Sequence, residues 1–276
     1  MKKITCVIDN AVQHSSRFWG EHGLSFLIET DNGSVLFDTG QTEQVLSHNL
    51  GLFGNAPRGI TALALSHAHV DHTGGLNVAL ALKPGMPLYA NPDLFRPRYA
   101  IRGSEHRSIG LPITRDEFAR RVDLHFSETP VEIVPGVWTT GEITNRSEPE
   151  GRSNRHVVPA DGGWQPDTYR DDMSLIVETP EGLIVVCGCC HAGLLNTLAR
   201  VHQVFQRPIA AIIGGTHLID ADATHLQHVI EVLKNMYGSP RLYLNHCTGE
   251  RAYIALTNAL GDQVKPLPAG TVLDLG

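Results

Sequence analysis

The sequence predicts an α/β fold of layered sheets and helices, and three observations carry that prediction. From Met173 onward, three apolar strand segments each run into a helical segment: "SLIVETPEGLIVVCGCCHAGLLNTLARV", "IAAIIGGTHLIDADATHLQHVIEVLKNMYG" and "RLYLNHCTGERAYIALTNALG". Strands alternating with helices of ten or more residues build sheets covered by helices. The start of the chain reads instead as antiparallel strands. Histidines then recur just past the carboxyl ends of the apolar runs, where layered α/β folds open their ligand crevices.

Taken in order, "ITCVIDNAV" predicts an opening strand, and "LSFLIETDNGSVLFDTG" a hairpin whose "DNG" tolerates positive φ. "ITALALS" suits a short buried strand, and "TGGLNVALALKPG" has helical spacing closed by Pro and Gly. "MPLYAN" reads as a further strand. Residues 91–130 change character: Pro92, Pro97 and Pro112 break regularity, and Arg96, Arg98, Arg102, Arg107, Arg115, Arg120 and Arg121 crowd together. This predicts an arginine-rich insertion outside the core. "VEIVPGVWTTGEI" returns to strand, and residues 144–170, rich in Ser, Asn, Pro, Gly and charge, read as a long loop of the kind that carries function. One domain over residues 1–276 accounts for the pattern.

Composition narrows the class. Hydrophobic residues make up 42% and charged residues 18%, as in a globular chain, and no apolar run approaches the ~18 residues a membrane span needs. "MKKITCVIDN" is too polar for a secretory leader, so a cytoplasmic protein is expected. Five cysteines, three of them in "CGCC", do not form a disulfide framework. A net charge of -7 argues against a general nucleic-acid binder. The unusual count is histidine, at 15.

The stretch "LSHAHVDHTGG" concentrates His67, His69, Asp71 and His72 in one turn. "VVCGCCH", "AIIGGTH" and "LYLNH" place His191, His217 and His246 in equivalent strand-end positions, and "VLFDTG" does the same for Asp38. A lone histidine at a strand end is ordinarily a hydrogen-bonded structural residue. Several gathered in one turn without a metal would repel one another when protonated. Imidazole and carboxylate together suit zinc, iron or manganese, whereas calcium and magnesium need mostly oxygen ligands. His67 and His69, two apart on an extended turn, are expected to chelate one ion and Asp71 and His72 a second. His191 and His246 complete the shells.

On these residues the sequence resembles the metallo-β-lactamase superfamily, whose HxHxDH signature is matched in full by His67, His69, Asp71 and His72. "HGLSFLIET", "LFDTGQT", "LSHAHVDHTGGL", "DDMSLIVETPEGLIVVCGCCHAGLLNTL", "IIGGTHL" and "HCTG" are similar to the branch named for 7,8-dihydropterin-6-methyl-4-(β-D-ribofuranosyl)aminobenzene-5'-phosphate synthase. The resemblance covers nearly the whole chain. It implies an αββα sandwich of two mixed sheets flanked by helices, two divalent ions (zinc first, iron or manganese as alternatives) at one edge, and mostly hydrolytic chemistry. The superfamily's "PGH" histidine and "GD" aspartate have their counterparts in Gly141-Glu142 and Gly188-Cys189. His191 takes over one ligand role, with its metal left open. Glu142 and Cys189 are each either a ligand or a neighbour of one, and for Cys189 a buried structural thiol is the preferred reading. Asp38 is expected to orient a ligand imidazole through its free N–H.

Such a pair of ions activates water for attack at a phosphoryl or carbonyl centre. Asp71 is expected to accept a proton, and a protonated His217 to assist the leaving group. Helix starts after His191 and His246 point to an anionic, phosphate-bearing metabolite held near Thr248 and Gly249, and the resemblance to the dihydropterin branch adds a pterin-like one as an expectation. The arginines from 96 to 107, Arg96, Arg98 and Arg102 among them, either reach over the site or form a solvated face. Two rival readings stand beside this one. A di-iron redox protein on the same scaffold needs an electron donor such as a flavin domain, for which the chain has no room. A non-catalytic metal-containing sensor would leave the intact HxHxDH turn unexplained. Oligomeric state is left open.

Overall fold

The computed structural model describes residues 2–54 and 59–275. Two seven-stranded sheets lie face to face. The first runs Val272–Asp274, Lys3–Ile8, Ser25–Thr30, Gly33–Phe37, Ala62–Ala64, Pro87–Ala90, Asp123–Phe126 in spatial order. The second runs Val264–Pro266, Arg241–Leu244, Ile209–Gly214, Gly182–Cys187, Leu175–Thr179, Val137–Thr139, Glu132–Val134. Both are mixed, with an antiparallel half and a parallel half. Among the described residues no helix is long and apolar enough to cross a membrane.

Strand periodicity produces the layers. In Ser25–Thr30, Phe26 and Ile28 enter the core between the sheets, while Leu27 enters the core under the helices Glu43–Gly51 and Leu76–Leu82. Likewise Ile184 and Val186 face the first sheet, and Leu183, Val185 and Cys187 face the helices Leu194–Phe205, Ala223–Asn235 and Glu250–Leu260. Strands buried on both faces need no polar alternation. The result is the αββα sandwich that the sequence resemblance implied.

Helix Glu43–Gly51 was not legible beside the hairpin. Thr42 caps it, its hydroxyl accepting from the Val45 N–H at 3.3 Å. Two sequence readings need correction. Residues 91–130 are not wholly outside the core: Leu94, Phe118 and Val122 are buried in the first helix-facing layer, and Asp123–Phe126 pairs in parallel with Pro87–Ala90. Residues 144–170 are not a structureless loop either. His156–Ala160 and Gly163–Pro166 form a hairpin that pairs with Tyr99–Arg102, which pairs in turn with Glu105–Ser108. The two irregular regions therefore build a four-stranded third sheet together. Pairing at that sequence separation leaves no local periodicity to read.

The inter-sheet core sets stability. Phe37 is fully buried there, and Phe37→Ala is expected to cost roughly 3–5 kcal/mol in urea unfolding, as aromatic-to-alanine cavities do.

Candidate metal centre

Strand register brings the chemistry to one edge. Phe37 pairs with Ala64, Cys187 with Gly214, and Gly214 with Leu244. The turns that follow, carrying Asp38, His67 to His72, Cys189 to His191, His217 and His246, therefore leave their sheets at neighbouring points. The two sheets' turns meet closely: a Cβ on Gly188 would lie 2.3 Å from Ser66 Oγ. No side chain fits there, which is why glycine precedes Cys189.

His67, His69 and His191 are buried, with ring centroids 4.6 to 4.9 Å apart. Their Nε2 atoms have no hydrogen-bond partner among the described residues. The other ring nitrogen explains the tautomer in two of them. Ser66 Oγ donates to Asp38 Oδ2 at 2.7 Å, so it accepts from His67 Nδ1 at 2.8 Å. His191 Nδ1 donates to the Gly151 carbonyl at 3.0 Å. Each Nε2 therefore presents a lone pair, as a metal ligand must. Burial, then mutual repulsion among the histidines, holds the His67 and His191 imidazoles far below their ordinary value; burial does the same for His69 against the pull of Asp71. All three are neutral near pH 7.

A second group lies alongside. His72 Nε2 is 3.2 Å from His246 Nε2 and 3.2 Å from Cys189 Sγ. Asp71 Oδ2 lies 3.5 Å from His246 Nε2 and 3.7 Å from His72 Nε2. His72 Nδ1 donates to Asp38 Oδ2 at 2.7 Å, and His246 Nδ1 donates to Asn10 Oδ1 at 3.0 Å. Burial alone would lower His72, but Asp38 and Asp71 outweigh it and raise its imidazole to about 9. Burial opposes ionisation of Asp71 too, yet His72 and His246 hold its carboxyl well below the usual range.

Cys189 joins the groups. Its Sγ lies within 4.8 Å of the ligand atoms of His67 and His191, and equally of His72 and His246. Cys189 is buried, as the structural-thiol reading expected, and it also lines the cleft at the seam of both groups, where a ligand would stand. The His191 ring stands 4.9 Å from the rings of His67 and His69, and its ligand atom groups with those of His67 and Cys189.

Other expectations shift as well. Glu142 is not at the centre; both its carboxylate oxygens accept from Arg170, at 3.1 and 3.0 Å. His217 lines the cleft, 4.3 Å from His191 between ring centroids. Burial, then His246 and His156, push it to about 4, so it is neutral and not the protonated acid expected from the sequence. Thr248 and Gly249 do not line the cleft: the Thr248 N–H donates to the Asn245 carbonyl, and its hydroxyl accepts from Thr216. Arg98 is buried, salt-bridged to Asp93, Asp167 and Asp171. Arg96 stands outside the cleft, whereas Arg102 and Arg107 line it. Arg107 belongs to the arginine stretch that was expected either to reach over the site or to form a solvated face, whereas His156 went unremarked because the third sheet that presents it was illegible. His22 was also missed: its Nε2 lies 3.3 Å from Asp71 Oδ2 at the cleft mouth.

Residues 19–157 match the family model of the metallo-beta-lactamase superfamily, a span that contains the His67–His72 turn. The chain belongs to the metallo-β-lactamase superfamily. It is 30% identical over 290 residues to the 7,8-dihydropterin-6-methyl-4-(beta-D-ribofuranosyl)-aminobenzene-5'-phosphate synthase of Methanocaldococcus jannaschii, covering 98% of this chain and 96% of that one. A protein of the same organism named only as uncharacterised is 30% identical over 257 residues, covering 92% and 93%. The crystal structure of Tm1679, a metal-dependent hydrolase of the beta-lactamase superfamily, superposes with a TM-score of 0.85 at 26% identity over the whole of both chains. Membership in this superfamily and a synthase relative support an enzyme of metal-dependent chemistry.

Protonation of the ligand side chains makes a prediction. An ion entering the second group must displace the His72 proton, and an ion bound by Cys189 must displace the thiol proton, because burial and then Cys247 raise that thiol. Calorimetric zinc titrations near neutral pH, in buffers of different ionisation enthalpy, should show about two protons released, and about one in Cys189→Ser. Equal release by both proteins would contradict Cys189 as a ligand.

Proposed function

We propose that this chain is a hydrolase or transferase acting on a small anionic, phosphate-bearing metabolite through two divalent transition-metal ions. The observation that carries the reading is the trio of buried imidazole nitrogens without partners among the described residues, set beside a second group that shares Cys189. In this reading His67, His69 and His191 hold one ion, His72, His246 and Asp71 the other, and Cys189 serves both. Zinc fits the donor set best, with iron or manganese as alternatives, because a thiol favours the softer ions. Ions bound there would lower the pKa of water and polarise a phosphoryl or carbonyl oxygen.

The protein's own groups do the rest. Asp71, ionised and at the cleft wall, accepts a proton. Neutral His217 offers a hydrogen bond to the substrate or the leaving group and no formal charge. Arg102 and Arg107 stand on the two strands of the Tyr99–Ser108 hairpin and border the cleft, where guanidinium forks suit phosphate oxygens. The name of the synthase relative, with its 5'-phosphate and dihydropterin, favours a phosphorylated ring compound as the substrate class. We place the protein in the cytoplasm, since all five of its cysteines are free thiols and buried, which suits a reducing compartment.

A screen of phosphomonoesters, phosphodiesters and lactones with zinc-loaded protein tests the reading. Turnover that chelator abolishes and zinc restores is the expected result. Arg107→Ala should then raise KM about tenfold, the ~1.4 kcal/mol of one charged contact, with kcat little changed. An unchanged KM would remove Arg107 from substrate binding, and zinc-loaded protein inert to all three classes would contradict the hydrolytic reading.

A further inference from the structure

We propose that the segment from Tyr169 to Asp172 is a positioning clasp that sets the spacing between the two ligand turns, with Asp171 gripping one turn and Asp172 the other. The inference rests on the metal reading above. His67 and His69 come from the first sheet and His191 from the second, so something must fix the turns relative to each other. Asp171 Oδ2 accepts from the Ala68 N–H at 2.8 Å, in the peptide unit between the two histidines. Asp172 Oδ2 accepts from the Ala192 N–H at 2.8 Å, directly after His191. Adjacent residues thus hold backbone donors on opposite sides of the centre. The next N–H, of Met173, donates to the Ser66 carbonyl at 3.0 Å and closes the clasp on the first turn.

The clasp also touches a ligand ring. Tyr169 stacks on His191 with centroids 4.1 Å apart and planes within 10°, and its hydroxyl meets His156 Nδ1 at 2.9 Å. Beneath it Arg98, buried, salt-bridges Asp171 Oδ1 at 2.6 Å and Asp167 Oδ2 at 2.9 Å. Arg98 therefore supports the centre from below and does not meet the substrate.

Fold stability alone is a poor reason for this arrangement. Two adjacent carboxylates are 1% and 2% exposed, and Asp172 Oδ1 has no partner among the described residues. Buried carboxylates left partly unpaired are costly, and apolar replacements of similar volume are often no less stable. Ligand nitrogens, by contrast, must be held within a few tenths of an ångström for tight binding. Groups that orient ligands from behind typically change metal affinity 10- to 100-fold when removed.

The test compares full-length wild type with Asp172→Ala, Asp172→Asn and Asp171→Asn, each loaded with cobalt(II). Visible absorption reports ligand geometry, and competition with a chromophoric chelator reports affinity. Asp172→Ala should bind cobalt about 10- to 100-fold more weakly with a shifted visible band, and Asp172→Asn, which keeps an acceptor oxygen, should recover most of the affinity. Asp171→Asn should shift the band in the same way, because both Asp171 oxygens accept, from Ala68 and from Arg98, and an amide keeps only one acceptor. Wild-type affinity and spectrum in Asp172→Ala and Asp171→Asn, with only a lowered melting temperature, would make the pair merely structural and overturn the proposal. Should Asp172→Ala not fold, Tyr169→Leu carries the test: a displaced cobalt band supports the clasp and an unchanged one overturns it. Wild type that binds no cobalt would contradict the metal reading itself, an outcome distinct from wild-type binding by the variants.

Discussion

Three buried imidazole nitrogens, the Nε2 atoms of His67, His69 and His191, have no hydrogen-bond partner among the described residues, and they are the constraint on which the rest of the site depends. Leaving a polar atom unsatisfied in the interior costs on the order of 1–3 kcal/mol. The surroundings deepen that commitment. Ser66 and the Gly151 carbonyl occupy the far nitrogens of His67 and His191, so those rings cannot turn to relieve the loss without breaking a second bond. An ion is the partner that such an arrangement lacks.

The fold makes this constraint affordable by confining it to an edge. Three separate cores fill the space between and outside the sheets, so the strand ends are free to carry turns of unusual conformation. Asp38, Cys190, His217 and His246 all have positive φ, a conformation that side chains adopt only under the hold of their surroundings. Two sheets contribute unequal halves: the first supplies His67, His69, Asp71 and His72, the second Cys189, His191, His217 and His246. Cys189 sits where the halves meet, and Gly188 lets them meet.

Much of this was legible in the sequence because it is local. The histidine and aspartate spacing of residues 67–72, the apolar runs before each turn and the strand-helix alternation all lie within short windows, and the family blocks fixed their order. What was not legible depends on contacts across the chain. The third sheet joins Tyr99–Arg102 to His156–Ala160, so Arg107 and His156 looked like parts of unrelated loops. Arg98 and Arg102 are indistinguishable in an arginine-rich stretch, yet one is buried under three aspartates and the other borders the cleft. Glu142 could not be separated from a ligand until Arg170 was seen to occupy it. Cys189 read as one more core thiol because the nearness of His72 and His246 is a tertiary fact.

Crystals soaked in zinc and measured at wavelengths on either side of the zinc absorption edge test the central claim most directly. The account predicts two anomalous peaks: one bounded by His67, His69 and His191, the other by Asp71, His72 and His246, with the Cys189 sulfur between them. Crystals that take up no zinc at this edge, or a peak that leaves His191 or His246 unliganded, would contradict it.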